Sequence, residues 1–327
     1  AQILKDGLEN ARILGNYATF LTDVRGDQDK AEAFYKRALE AKPKNADILG
    51  NYANFLQDVR GDHDKAEAFY KRALEADPDH ANNLGNYANF LNNVRSDHDE
   101  AEALYKRALE ADPKNANHLG NYATFLTDVR GDHDEAEAFY KRALEMDPEN
   151  VRILGNYANF LQDVRGDHDE AEALYKRALE ADPKNANHLG NYAKLLFLSD
   201  RKTEGETVTS QALARISADT LDLLSELLFY LSAHAAESYP KALPFLKSAL
   251  HAGARSPGWR LDRNIEQARR DGYSEPELLH AIATVVSDEA DLDTLNSYET
   301  WRYTEAIPYN NIFEQRENVD DPLDIFV

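Results

Sequence analysis

The sequence predicts an all-α solenoid, a row of helix pairs stacked one on the next. Three observations predict it. The triplet Gly-Asn-Tyr begins at Gly15, Gly50, Gly85, Gly120, Gly155 and Gly190, so one unit recurs every 35 residues. Within each unit, apolar residues recur at three- and four-residue spacings in two runs, the pattern of two amphipathic helices. At 327 residues, the chain is too long for one compact core of average size.

The second unit, Ala46 to Pro78, justifies each element. Ile48, Leu49, Tyr52, Ala53, Leu56 and Val59 make one broad apolar face of a first helix. Asp47, Asn51, Asn54 and Asp58 fall on the other side. Arg60-Gly61-Asp62-His63-Asp64 breaks the pattern, with Gly61 as the stop signal. Asp64 is a good N-cap, and Glu67 three residues later completes a capping box. Ala66, Phe69, Tyr70, Ala73 and Leu74 then predict the buried stripe of a second helix. Asp77-Pro78 closes the unit, because the residue before a proline disfavours helical backbone.

These residues resemble the tetratricopeptide repeat family. Leu49, Tyr52, Ala53 and Leu56 match the first helix of its motif. Ala66, Tyr70, Ala73 and Pro78 match the second helix and closing turn. The family unit has ~34 residues. The extra residue here falls near Val59-Arg60 and predicts a slightly longer first helix or turn. The sixth unit lacks it, with Gly205 and Ala212 at the small positions. A diverged seventh unit follows, in which Ala242, Leu246 and Ala249 hold the second-helix places. The resemblance implies a right-handed superhelical solenoid whose first helices line the concave surface.

The expected organisation is the end of a partial preceding repeat (1–10), six repeats (11–214), a diverged seventh (215–255), C-terminal capping helices (256–307) and an acidic extended tail (308–327). The tail ends in Pro-Leu-Asp-Ile-Phe-Val, which could dock in a partner's groove or in the chain's own array. Trp259 and Trp301 read as core of the cap.

Composition excludes several functions. There is no cysteine, which removes disulfides, thiolate catalysis and cysteine metal sites. A formal charge of −22 argues against nucleic acid and anionic membrane as partners. No apolar run approaches the ~18 residues of a membrane span, and no signal peptide is visible at the start. A cytoplasmic location is expected. No phosphate loop or nucleophile elbow appears, so the chain reads as non-catalytic and without a cofactor. His63, His98, His133 and His168 lie one per repeat, too far apart to share a metal ion. Arg-Gly-Asp at Arg25, Arg60, Arg130 and Arg165 reads as a turn rather than an adhesion signal.

The polar side of the first helices carries the functional reading. One place is always Asn: Asn16, Asn51, Asn86, Asn121, Asn156 and Asn191. A second reads Thr19, Asn54, Asn89, Thr124, Asn159 and Lys194. A third reads Asp23, Asp58, Asn93, Asp128, Asp163 and Leu198. An amide both donates and accepts, so a ladder of Asn can hold an extended peptide backbone with little sequence demand. The Gly before each constant Asn is expected to leave room on the floor for the ligand. The ladder looks like that of O-linked N-acetylglucosamine transferases and of armadillo-type import receptors. The family's carboxylate clamp does not fit, because Gly stands where one clamp Lys would be. Asp58, Asp128 and Asp163 suit a neutral or basic segment. The expected function is an adaptor that binds a partner's peptide. A regulatory or inhibitory subunit of an enzyme system and a self-associating structural module are the alternative readings.

Overall fold

The computed structural model describes residues 10–217, 220–257 and 260–327, and every regular element among them is helical. The expected partial repeat at 1–10, save Asn10, and the core assignment of Trp259 lie outside the described residues. The chain forms two compact units, Ala1–Pro148 and Glu149–Val327.

The first unit holds four helix pairs: Ala11–Phe20 (α1) with Gln28–Ala41 (α2), Ala46–Asp58 (α3) with His63–Ala76 (α4), Ala81–Phe90 (α5) with His98–Ala111 (α6), and Ala116–Phe125 (α7) with His133–Met146 (α8). Asn45 caps α3 by accepting from the Ile48 N–H, as Asn115 caps α7 through His118. Asp62, not Asp64, caps α4. Its carboxylate accepts from the Lys65 N–H, and Asp64 lies within the first turn. The physical reason is Gly61: its left-handed φ of 63° turns the chain out of the helix that ends at Asp58 and leaves the next residue, Asp62, in place to cap the new one.

The extra residue is absorbed as a π turn. Leu21–Arg25, Leu91–Arg95 and Leu126–Arg130 extend α1, α5 and α7 in that wider winding. In the second repeat, the Arg60 N–H reaches the Phe55 carbonyl five residues back, at 3.3 Å. A π bulge inserts one residue while both flanking apolar faces keep their direction.

Ala18, Ala53, Ala66 and Ala73 are fully buried, which lets the helices of a pair approach closely. Between repeats, tyrosines stack. Tyr35 meets Tyr52 and Tyr70 meets Tyr87, each at 5.4 Å between ring centroids. Arg60 reaches back to Asp29 (2.7 Å) and Glu32 (2.8 Å) of the preceding repeat. Arg95 does the same with Asp64 and Glu67, and Arg130 with Asp99 and Glu102. In the second and fourth repeats, each letter of Arg-Gly-Asp thus has a structural duty: a clasp, a helix stop and an N-cap.

The second unit begins with Val151–Phe160 (α9), its π turn Leu161–Arg165, and His168–Ala181 (α10). Ala186–Leu198 (α11) and Lys202–Leu213 (α12) form the next pair. Leu221–His234 (α13) and Ala242–His251 (α14) pack against each other. The sixth unit lacks the extra residue, and α11 has no π turn. Asp262–Arg270 (α15) packs against α11 and α13, and Pro276–Val286 (α16) against α13. Trp301 is buried, with Lys247 donating to its carbonyl at 2.6 Å.

The tail departs from the extended segment expected of 308–327. It folds into a short helix, Asn310–Gln315, and two 3₁₀ turns, Arg316–Asn318 and Pro322–Phe326. Leu323, Ile325 and Phe326 are buried, Phe326 edge-on to Phe245 at 5.3 Å. The Arg316 guanidinium donates to the Leu213 and Ile216 carbonyls, and the Lys241 N–H donates to the Phe326 carbonyl. Acidic composition hid three apolar side chains whose burial outweighs the entropy of ordering a short segment. The last residues therefore dock on the second-helix side of this unit, at α12 and α14.

Candidate functional site

The glycines do not open the floor to a ligand. Gly50, Gly85 and Gly155 are buried. A Cβ on Gly50 would lie 1.9 Å from Asn83 Oδ1, and one on Gly85 would lie 2.5 Å from His118 Nδ1. In the second unit, a Cβ on Gly155 would lie 2.1 Å from His188 Cε1. Each glycine is the notch that admits the first helix of the next repeat. The signal lay two places before the glycine of the next repeat, in the residue that supplies the filling side chain: Asn83 for Gly50, His118 for Gly85 and His188 for Gly155. Asn83 Nδ2 also donates to the Ala46 carbonyl at 3.0 Å, so this polar residue is satisfied inside the joint.

The constant asparagines keep to the polar side. In the first unit, Asn16 and Asn51 are exposed, while Asn86 and Asn121 are half-buried. In the second, Asn156 and Asn191 are half-buried. The second row has another duty. Asn54 Oδ1 accepts from the Tyr70 hydroxyl at 2.6 Å, and Asn89 from Tyr105 at 2.6 Å. Asn159 accepts from Tyr175 in the same way. Where the row holds threonine, Thr19 and Thr124 meet the Tyr35 and Tyr140 hydroxyls at 3.0 Å. These bonds tie first helix to second within a repeat. They leave the Asn54, Asn89 and Asn159 amides their N–H donors, with the carbonyl already engaged. Burial raises the Tyr70 hydroxyl above its ordinary pKa, and the nearby Asp58 charge adds to it.

One open pocket lies on this side of the first unit, with a volume near 260 Å³. Asp23, Asn51, Asn54 and Asp58 line it, and the rings of Tyr35 and Phe55 form part of its wall. Partial burial raises the Asp58 carboxyl, against the hydrogen bond from Gln57 Nε2 at 2.9 Å. Asp128 is exposed in the same unit.

In the second unit, the corresponding surface is filled by the chain itself. Lys194 is buried and places Nζ 2.9 Å from both carboxylate oxygens of Asp163. Burial pushes the nearby Glu226 carboxyl up to about 8, against the Ser256 hydroxyl that donates to it and the Lys194 charge. Arg263 of α15 donates to the Gln162 carbonyl at 2.6 Å. The structure thus brings Asn51, Asn54 and Asp58 together around open space, and commits Asp163 to an internal ion pair. Sequence reasoning missed Lys194 and Arg263. The signal for Lys194 was its place, since it is the one cation in a row otherwise made of Asn and Thr. Among the described residues, no three His, Asp or Glu side chains gather as a metal site.

Tetratricopeptide repeat family models match residues 45–114, 94–151, 165–221 and 25–45, and a model for TmcB, TPR repeats, matches 133–188. The matches run from 25 to 221, more than half of the chain. The chain belongs to the tetratricopeptide repeat family. This repeat protein is similar in fold to a tetratricopeptide repeat protein from Parabacteroides merdae (18% identity, TM-score 0.53, 84% of this chain and 98% of that one). It is also similar to PilW, described as a widely conserved type IV pilus biogenesis factor (26% identity, TM-score 0.52, 60% of this chain and 90% of that one). Pseudomonas aeruginosa PilF is a third (19% identity, TM-score 0.52, 62% of this chain and 89% of that one). No curated protein matches the chain. Tetratricopeptide repeat proteins generally act as protein-interaction scaffolds and are typically non-catalytic. No helix among the described residues is long and apolar enough to cross a membrane.

Proposed function

We propose that this repeat protein is a cytoplasmic adaptor that holds an extended segment of a partner protein along the polar side of its first helices. One observation carries the reading: the pocket between the first two repeats, where Asn51 and Asn54 face open space beside two aspartates. The constant row of Asn16, Asn51 and Asn86 offers whole amides to the peptide backbone. In the second row, Asn54, Asn89 and Asn159 offer their N–H donors, with one acceptor site of each carbonyl taken by a tyrosine hydroxyl. The acidic preference expected of Asp58, Asp128 and Asp163 narrows, because Asp163 is neutralised by Lys194. The first unit is the better candidate for the peptide path, and a neutral or basic segment fits it.

The test is a peptide selected by display against the whole chain, titrated by fluorescence anisotropy. Replacing Asn16, Asn51 and Asn86 with Ala is expected to weaken binding at least about tenfold, since each lost amide pair contributes ~0.5–1.5 kcal/mol. Helical circular dichroism should be unchanged, because these side chains lie outside the core. Equal affinity in the triple variant would sink the ladder.

A further inference from the structure

The repeats let one part of the chain show what another part lacks. Lys194 stands in the row that holds Asn54 in the second repeat, and Asp163 stands in the row that holds Asp23 in the first. Between the fifth and sixth repeats, that pair closes: the Lys194 ammonium sits on both oxygens of Asp163 at 2.9 Å. Between the first and second repeats, the same two places hold Asp23 and Asn54. Asn54 is too short to fill the space, and its carbonyl is held back by the Tyr70 hydroxyl. What remains is the pocket of about 260 Å³, many times the ~30 Å³ share of one water. Thr19, Thr22, Asp23, Asn51, Asn54 and Asp58 line it, with aromatic wall from Tyr35 and Phe55 and no Lys or Arg.

We infer that this pocket takes the side-chain ammonium of a lysine in the bound segment, held by the Asp23 and Asp58 carboxylates. The inference rests on the peptide-binding reading above and gives that site its ligand chemistry. The aliphatic stem lies along the Tyr35 and Phe55 rings, as lysine stems do on apolar surface. The charge meets two carboxylates and the polar oxygens of the threonines. Burial raises the Asp58 carboxyl, a cost that a neighbouring ammonium offsets.

The test uses the full chain, immobilised, and pools of short peptides with neutral residues at random positions around one fixed residue. That residue is lysine in one pool, norleucine in the second and arginine in the third. The lysine pool should be retained at least about tenfold better than the norleucine pool, because a charge-assisted pair is lost with the ammonium. Two variants should abolish the preference: Asn54→Lys, which supplies an internal ammonium as the sixth repeat does, and Asp23→Asn with Asp58→Asn, which keeps shape and removes charge. Equal retention of lysine and norleucine pools by the native chain overturns the inference and leaves the peptide-binding reading standing. A lysine preference that survives both variants also overturns it. Better retention of the arginine pool assigns the pocket to a guanidinium and overturns the lysine assignment. Retention of none of the pools overturns both readings.

Discussion

At Gly155 a single methyl group decides the joint between two first helices. Its Cβ would fall 2.1 Å from the His188 ring, which is buried and cannot swing into solvent. Gly155→Ala should therefore destabilise the second unit by ~1–3 kcal/mol, although alanine is the better helix former. Urea denaturation followed by circular dichroism checks this. A stabilised variant would show that the notch is slack. The constant Asn row was legible from the sequence, because it repeats at a fixed place in every unit. The role of the glycine was not, because its contact partner lies 33 residues away on the next first helix. The Asn54 to Tyr70 bond was hidden for the same reason: helical periodicity marks which face a residue occupies, and says nothing of which side chain crosses from the neighbouring helix.

The first helices show how a unit can be one residue longer than its family without losing its packing. The π turns place the insertion where the helix is about to end, so α1, α5 and α7 keep their apolar faces aligned. Deleting Asp128 from the turn Leu126–Arg130 should let α7 run on as a plain α-helix, as α11 does. The sixth unit has no π turn, yet Arg201 still reaches Glu172 of the preceding repeat at 2.7 Å. The expected result is undiminished helical circular dichroism and a stability change of no more than ~1 kcal/mol, because the pairs of Arg130 with exposed Asp99 and part-buried Glu102 are surface ion pairs. Collapse of the helical signal would contradict this. The sequence placed the insertion near Val59-Arg60 correctly. It left open whether turn or helix would absorb it, because both conserve the apolar spacing. In α13, Glu226 is a carboxyl raised from 4.5 to about 8 by burial. The folded chain therefore holds one proton more than the unfolded chain between those values. Stability is full below about pH 4.5 and falls as pH rises to about 8. The urea midpoint should drop across that window in the native chain and stay flatter in Glu226→Gln. Parallel curves would show that Glu226 ionises freely.

Across the molecule, the two units divide the polar side of the repeats unequally. The first keeps an open pocket, and the second closes its own with Lys194, Asp163 and Arg263. A formal charge of −22 puts the open carboxylates in a negative field, which favours approach by a cationic segment at low salt. The repeat architecture was legible from end to end of the six copies, because near-identity at a fixed step admits few other folds. The C-terminal region was less so. Its helices have no repeated partner, and the docking of the last residues depends on Phe245 and Lys241, which lie some eighty residues earlier in the chain. The central claim is that the constant Asn row is the contact surface for an extended peptide. The most direct measurement is the side-chain amide NMR spectrum of the full chain with a display-selected peptide added to saturation. The N–H₂ signals of Asn16, Asn51 and Asn86 should shift together, while those of the helix caps Asn45 and Asn115 stay in place. Shifts confined to the caps, with the three row signals unmoved, would contradict the account.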